Sequence, residues 1–530
     1  MKLFITRRSF LTSALLIPWL SCFGRDARAE VEPPAALELG PAQPFSFNWL
    51  KEQARQRAAQ PYQPPLIRYA DVLQQIDYDV HRQIRCRPEA ALWARGDGPY
   101  PVQFFHLAGL FKEPVKLYVV RDGVAREVGY SRKLFQYGDN AKFAESLPDD
   151  MGFAGFRVMN SSSQQHYWLA FLGASYFRSS GELDQLGISA RGVAIGTGFP
   201  EPEEFPRFAS FWLEAGADPG AMMIYALLDG PSITGAYRIE AIRQEHVVMN
   251  IEAVLFTRVD IRRLGIAPLT SMYWFSETNR WQARDWRPEV HDSDGLALWK
   301  GNGERLWRPL NNPPSVQISS FFDNNPKGFG LLQRDRNFEN YQDDNVFGEC
   351  CYERRPSLWV EPMEPWGEGA VQLVEIPTNY EIYDNIVAYW LPKAPVQAGS
   401  TWNFKYRLHW SADEPYPSAL GRVFATRLKP AGMHNKPYPA NNVLLVIDFA
   451  GGPLEHLEKD APVKLVVDTM HGKLTGSSSS ARQVSGTKRW RGFFYIELES
   501  DEPIDIRAYL RLGDQALTET WLYQFIPRPV

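Results

Sequence analysis

Val115-Lys116-Leu117-Tyr118-Val119-Val120 alternates apolar and polar residues, Arg121-Asp122-Gly123 supplies a turn, and Val124 to Tyr130 returns. Period-two alternation places successive side chains on opposite faces of an extended chain, and the Asp-Gly pair tolerates the backbone of a tight turn. The stretch therefore reads as a β-hairpin. Ala221 to Leu228 and His246 to Phe256 are further runs rich in β-branched or aromatic residues, the composition of strands. Long helical periodicity is absent from this region. Upstream, from Phe45 to about Arg87, the chain reads as helical and irregular, with Asn48 as the expected N-cap of a charged segment from Trp49 to Arg57. The natural architecture is a large antiparallel β-sandwich.

Leu391-Pro392-Lys393-Ala394-Pro395-Val396-Gln397-Ala398-Gly399-Ser400 carries the Pro and Gly punctuation of a boundary between two strand-rich halves. Beyond it, Trp402 to Trp410, Val443 to Phe449, Val463 to Thr469, Trp490 to Leu498, Ile504 to Leu512 and Thr518 to Phe525 read as short strands. Strands of that length and spacing suit an immunoglobulin-like sandwich. The expected division is 1–29 as an export signal, 30–393 as the N-terminal sandwich, 394–400 as a linker and 401–530 as the immunoglobulin-like domain. Gly476-Ser477-Ser478-Ser479-Ser480 reads as a flexible loop. No internal repeat is present.

The N-terminus has Arg7-Arg8 before an apolar run from Leu11 to Leu20, then Ala27-Arg28-Ala29. A charged start, a short apolar stretch and a small-x-small site are the parts of a removable signal, and the arginine pair points to the twin-arginine route. Cleavage after Ala29 and a periplasmic location are expected. The apolar run is shorter than the roughly 20 residues of a spanning helix and contains Pro18. A lipoprotein reading through Cys22 fits poorly, because Trp19-Leu20-Ser21 lacks the small residues it needs. The net charge of -5, with both signs interspersed, argues against nucleic acid as a partner, which would call for a basic patch. Once Cys22 is removed, Cys86, Cys350 and Cys351 remain. A bridge between the neighbours Cys350 and Cys351 would be strained, so packing must hold the fold.

Several signatures are missing: a Gly-x-Ser-x-Gly elbow, a phosphate loop, a complete dinucleotide fingerprint and a spaced set of metal ligands. No cofactor or metal is expected. What remains is carboxylates among aromatics, in a chain with 17 Trp and 13% aromatic residues. Sugar rings stack on aromatic faces, although large sandwich cores also use aromatics. His291-Asp292-Ser293-Asp294-Gly295, the run from Arg354 to Pro362, Glu375-Ile376-Pro377-Thr378 and Glu381-Ile382-Tyr383-Asp384 bring acids onto aromatic loops. Glycoside hydrolysis needs one carboxylic acid to protonate the departing oxygen and usually a second carboxylate to activate water or attack. Turn and cap chemistry would also account for these acids.

The stretches His291 to Gly295, Trp307-Arg308-Pro309-Leu310-Asn311-Asn312-Pro313, Asn325 to Gln333 and Arg355 to Pro362 together resemble the periplasmic glucans biosynthesis family. So do Leu172-Gly173-Ala174-Ser175-Tyr176-Phe177-Arg178, Ser189-Ala190-Arg191-Gly192 and Glu519 to Gln524. The arginine pair sides with the D branch of that family. The resemblance implies a mutarotase-like N-terminal β-sandwich joined to an immunoglobulin-like domain, and a β-1,2-glucan substrate. It implies an inverting endo-β-1,2-glucanase, with some relatives transferring the cut end to a cyclic product. The family's general acid falls on Asp384 and its general base, acting through a relay, on Asp292. Tyr352 falls on a cleft-lining aromatic. Arg354, Arg355, Trp359 and Trp366 are candidate sugar contacts, and each Trp has a core reading beside it.

Glu381 either raises the pKa of the nearby acid or is simply solvated. His291 is read as a neighbour orienting Asp292, and Asp294 as a second relay member or a turn-stabilising residue. Phe347-Gly348-Glu349-Cys350-Cys351-Tyr352-Glu353 is longer than the family's usual loop. The competing class is a non-catalytic glucan-binding factor working with a membrane glucan synthase. Retention of both Asp292 and Asp384, which a pure binder does not need, separates the two. A homodimer is compatible with the sequence.

Overall fold

The computed structural model describes residues 37–527 except 161–162, 219, 345–350, 432–440 and 476–478. The expected export signal, Cys350 and most of the serine-rich loop therefore lie outside the described residues. Among the described residues no helix is long and apolar enough to cross a membrane.

The fold is mainly β, two large sheets stacked face to face. The opening hairpin forms as Lys116–Arg121 and Val124–Glu127. Leu117 turns into the core between the sheets, while Tyr118 and Val120 turn outward. That outer side is covered by the helix Phe47–Ala58, whose Leu50 and Ala54 are fully buried. Phe45 and Tyr118 stack on Trp212 at 5.2 and 5.0 Å. The helix starts earlier than expected: the Ser46 side chain accepts from the Trp49 amide at 3.1 Å and caps it. Asn48 falls inside the first turn, where its side chain cannot serve as the cap.

From the hairpin the larger sheet continues through Arg207–Ala215, Ala221–Asp229, Ile233–Arg243 and Val247–Thr257. Thr401–Ser411 comes next, then Ser357–Pro362, Gly328–Leu332, Gly295–Trp299 and Arg305–Pro309. The facing sheet runs Gln317–Asn324, Glu368–Glu375, Ile386–Pro392, Leu264–Ser271, Ser189–Arg191, Tyr176–Ser179, Ser163–Leu172, Gly155–Asn160 and Val102–Phe105. The apolar inner faces of both sheets form one continuous core.

The expected boundary at 394–400 is displaced. Thr401–Ser411 pairs antiparallel with Val247–Thr257 on one side and Ser357–Pro362 on the other. It is a central strand of the N-terminal sandwich. The segment before it is a pinned turn: the Gly399 amide donates to Thr257 O at 3.0 Å and the Ala398 amide to Asp260 Oδ1 at 2.8 Å. Pro and Gly here punctuate a turn between strands, which sequence alone does not distinguish from a linker.

The C-terminal residues build a second sandwich. Arg422–Pro430, Asn442–Ala450 and Trp490–Glu497 form one layer. Lys464–Thr469, Ile504–Leu512 and Thr520–Phe525 form the other. The latter layer is an extension of the large sheet, because Thr520–Phe525 pairs parallel with Arg305–Pro309 through Leu306↔Thr520 and Trp307↔Trp521. The second core accordingly mixes Trp490, Phe494 and Trp521 with Trp307 and Trp359. Cys86 is buried, forms no disulfide among the described residues, and has its thiol pushed up to about 11 by that burial.

Candidate active site

The site lies on the outward face of the sheet that ends in Val102–Phe105. In Tyr176–Ser179, Phe177 and Ser179 turn inward, leaving Tyr176 and Arg178 outward. On the neighbouring strand Arg191 opposes Tyr176 and reaches the adjacent one, its Nε donating to Thr270 Oγ1 at 2.9 Å. Its guanidinium lies 5.0 Å from the centre of the Tyr176 ring and pairs with Glu203 at 2.7 Å.

Asp292 follows a two-residue strand, Val290–His291, in which His291 opposes Tyr273. The Asp292 amide donates to Met272 O at 2.8 Å, and the Asp294 amide to Leu332 O at 3.0 Å. The stretch thus crosses from one sheet to the other and is tied to both. Asp384 sits in the loop between Glu368–Glu375 and Ile386–Pro392. Its neighbour Asn385 is a three-way clamp: Oδ1 accepts from the Tyr273 amide at 2.8 Å, and Nδ2 donates to Tyr273 O and Ile376 O, each at 2.9 Å. The start of the loop is fixed by buried Glu375, which pairs with Arg308 at 2.9 Å and accepts from the Asn311 amide at 2.6 Å. The Asp384 and Asp292 loops therefore share Tyr273 and its neighbour Met272 as a common base.

The two carboxylates differ in what surrounds them. Asp292 is buried, and Arg355 Nε lies 3.3 Å from its Oδ1. Burial raises its pKa, and the charges of Arg355, His291 and Arg178 work against that rise. Among the described residues Asp384 makes no such ion pair. The residue is exposed, but the protein mass around it desolvates the carboxyl, and the charge of Asp292 adds to that. Together these push it up to about 6, against the pull of Arg178, Arg191 and Arg355. Burial thus raises both carboxyls, and the charge of Arg355 at 3.3 Å favours the ionised form of Asp292.

His291 is completely buried and both its ring nitrogens are engaged: Nδ1 with Gln333 Oε1 at 2.9 Å and Nε2 with Glu289 Oε2 at 3.1 Å. Burial pulls its pKa down, but the hydrogen bond and charge of Glu289 push it up to about 9. As a cation it donates from both nitrogens, which leaves none for proton transfer and adds a positive charge beside Asp292. Tyr352, 1% exposed, donates its hydroxyl to Glu381 Oε2 at 2.6 Å. The same oxygen accepts from Arg287 Nη1 at 2.9 Å, and Arg287 also binds Asp285 and Asp343. Among the described residues no cluster of three His, Cys, Asp or Glu could hold a metal ion.

Comparison with known proteins fits this arrangement to a family. The family described as periplasmic glucan biosynthesis protein, MdoG, matches residues 45–525. The chain belongs to this family. Glucans biosynthesis protein D 2 of Ralstonia nicotianae is 49% identical over 99% of this chain and 98% of that one. Glucans biosynthesis protein D of Xanthomonas campestris is 45% identical over the same shares. A galactose mutarotase-related enzyme from Lactobacillus acidophilus overlaps 48% of this chain and 94% of its own at a TM-score of 0.21 and 9% identity, too slight a likeness to carry an argument.

Of the residues expected from the family motifs, the structure brings together Asp292, Asp384, Tyr352, Arg355, His291 and Glu381. Arg354 is exposed and donates to Leu183 O at 2.7 Å. Asp294 accepts from the backbone amides of Arg334 and Asp335 at 2.9–3.1 Å, so its carboxylate holds a turn. Glu381 is anchored by two donors, and its charge raises Asp292. Trp359 and Trp366 are corrected from sugar contacts to core residues. Trp359 is 1% exposed, with its ring filling the space that side chains at Gly328 and Gly330 would need. Trp366 packs edge-on against Phe404 and Tyr406. The sequence reading did not single out Tyr176, Arg178 and Arg191 individually, although they fall within the family motifs from Leu172 to Arg178 and Ser189 to Gly192.

Proposed function

We propose that this chain acts in periplasmic glucan biosynthesis as an endo-β-1,2-glucanase that inverts the anomeric carbon, with Asp384 as general acid and Asp292 as general base. The observation that carries the reading is the inequality of the two carboxylates. Asp384 is pushed up to about 6 with no ion-pair partner among the described residues, whereas Asp292 has the Arg355 guanidinium 3.3 Å away, a charge that favours its ionised form. In the reaction the Asp384 proton passes to the departing glycosidic oxygen as the C1–O bond breaks. A water attacks C1 from the opposite face and gives up a proton that ends on Asp292, through intervening groups. Exclusion of water by bound glucan raises the Asp384 pKa further. Tyr380 and Tyr383, both exposed beside Asp384, and exposed Trp286, beside the Arg287 that grips Glu381, offer ring faces to sugars. Export by the twin-arginine route with removal of residues 1–29 belongs to the same reading.

The test is incubation of purified protein with linear β-1,2-glucan, following reducing ends and product masses. Reducing ends rise with the wild-type chain and stay flat with Asp384→Asn, whose circular dichroism and unfolding midpoint match wild type. Binding without cleavage by the wild-type chain would make it a glucan-binding factor, and products lacking the mass of a water would make it a transglycosylase.

A further inference from the structure

Arg157 is a largely desolvated guanidinium that pairs with no carboxylate among the described residues. Its Nε and Nη2 both donate to Gln103 Oε1, at 3.1 and 2.7 Å. It lies 5.6 Å from the ring centres of both Phe105 and Tyr167, so two aromatic faces hold it. Arg178 lies beside it, exposed, its Nη2 donating to Tyr167 Oη at 3.2 Å. Among the described residues neither arginine enters an ion pair, and for the largely desolvated Arg157 an unpaired charge is costly unless something else answers it.

Register places these groups in line. Gln103 pairs with Arg157, Arg157 with Ala170, and Ala170 with Arg178. All four belong to one row across the strands, on the outward face that carries Asp384 at its other end. Ala170 is the small member, so the row has a floor between its two long side chains. Arg178 and Arg157 are two interstrand spacings apart, about 10 Å. The field of Arg178 is felt by both Asp384 and Asp292, which ties the row to the reacting centre. At the far end Phe105 packs at 6.5 Å against His81, where the N-terminal segment closes the face.

From this we infer that the row Arg178–Tyr167–Arg157–Gln103 is a distal binding track for uncharged sugar residues of a glucan chain whose cut bond lies at Asp384. The inference rests on the glucanase reading and extends it. Sugar hydroxyls are good acceptors for planar guanidinium donors that have no carboxylate to satisfy them, and the flat C–H faces of pyranose rings suit the Tyr167 and Phe105 rings. A purely structural row would need only the contacts already made among Phe105, Arg157, Tyr167 and Gln103. A track predicts that affinity depends on chain length.

The experiment measures Kd by titration calorimetry in the Asp384→Asn protein, with linear β-1,2-gluco-oligosaccharides of increasing length. Affinity rises with length in that parent until the track is covered. Adding Tyr167→Ala or Arg157→Lys weakens binding of the long chains about tenfold and flattens the dependence on length. Tyr167→Phe, which keeps the ring, recovers most of it. Long-chain Kd values within about twofold of the parent in both variants overturn the track. Tyr167 is only partly buried, so Tyr167→Ala decides the matter should Arg157→Lys fail to fold. A wild-type chain that binds with this length dependence but cuts nothing overturns the glucanase and supports the track. Cleavage with no length effect does the reverse.

Discussion

Replacing Arg355 by Gln tests the division of labour between the two carboxylates directly. The guanidinium nitrogen lies 3.3 Å from Asp292 Oδ1, and both side chains are largely buried. At that separation an effective dielectric of about 20 gives roughly 5 kcal/mol, and loss of one partner from a buried pair typically costs about 3–5 kcal/mol. At about 1.4 kcal/mol per pKa unit, Asp292 should rise by about 2–4 units. The carboxylate then takes up a proton instead of staying charged and alone. Two consequences follow for Arg355→Gln. Cleavage of β-1,2-glucan loses its base near neutral pH, and the acid limb of the kcat/KM profile moves upward by about two units. The folded protein also gains a group whose pKa lies further above its unfolded value. Such a group contributes stability below the unfolded pKa and loses it as pH rises through the folded one. The unfolding midpoint of the variant should therefore fall, relative to wild type, as pH is raised from 5 to 8. Arg355→Lys keeps a charge and should return the acid limb most of the way. An acid limb that stays in place in an active Arg355→Gln protein would refute the argument that this arginine keeps Asp292 ionised.

Glu277 accepts from the Thr426 amide at 3.0 Å, and burial followed by the charge of Glu289 pushes it up to about 8. A carboxyl raised in this way contributes stability that is lost as pH rises from its ordinary range through about 8. Glu277→Gln should consequently flatten the alkaline decline of the unfolding midpoint between pH 7 and 9. Gly328→Ala places a Cβ 2.4 Å from the Trp359 ring, and overpacking of this kind should lower stability by about 1–3 kcal/mol in urea unfolding. Trp359→Ala should cost about 3–5 kcal/mol in the same assay. A Trp359→Phe protein that remains folded should retain its affinity for β-1,2-glucan, as measured by calorimetry.

Strand positions were legible wherever alternation or β-branched density was strong: Lys116–Arg121, Ala221–Asp229, Val247–Thr257 and Asn442–Ala450 all form where the pattern expects them. Arg422–Pro430 went unread because a register shift between Val423 and Ala425 breaks its alternation and leaves Phe424 exposed. The boundary near residue 400 was misread for a different reason. Gly399 and Pro395 mark a turn, and only pairing with Val247–Thr257 shows that the chain returns to the same sheet. At the site, family motifs led to Asp292 and Asp384, whereas the roles of Arg355 and His291 depend on which side chains meet across strands. Trp359 and Trp366 look alike in sequence to any exposed aromatic. Nothing in local pattern says that Gly328 and Gly330 were kept small to receive the first of them. The row through Arg157 and Arg178 is set by register alone, and register is not a local property.

The parallel pairing of Thr520–Phe525 with Arg305–Pro309 sets a timetable for the chain. About 210 residues separate the two strands. At about 5–20 residues per second, synthesis of that interval takes about 10–40 s. Throughout it, one edge of Arg305–Pro309 waits without its final partner, and an open strand edge is a template for pairing with other chains. Thr520–Phe525 is thus also a seal. A cell producing this protein must shield that edge until this strand has been made, and truncations that remove it should be more aggregation-prone than their small size suggests.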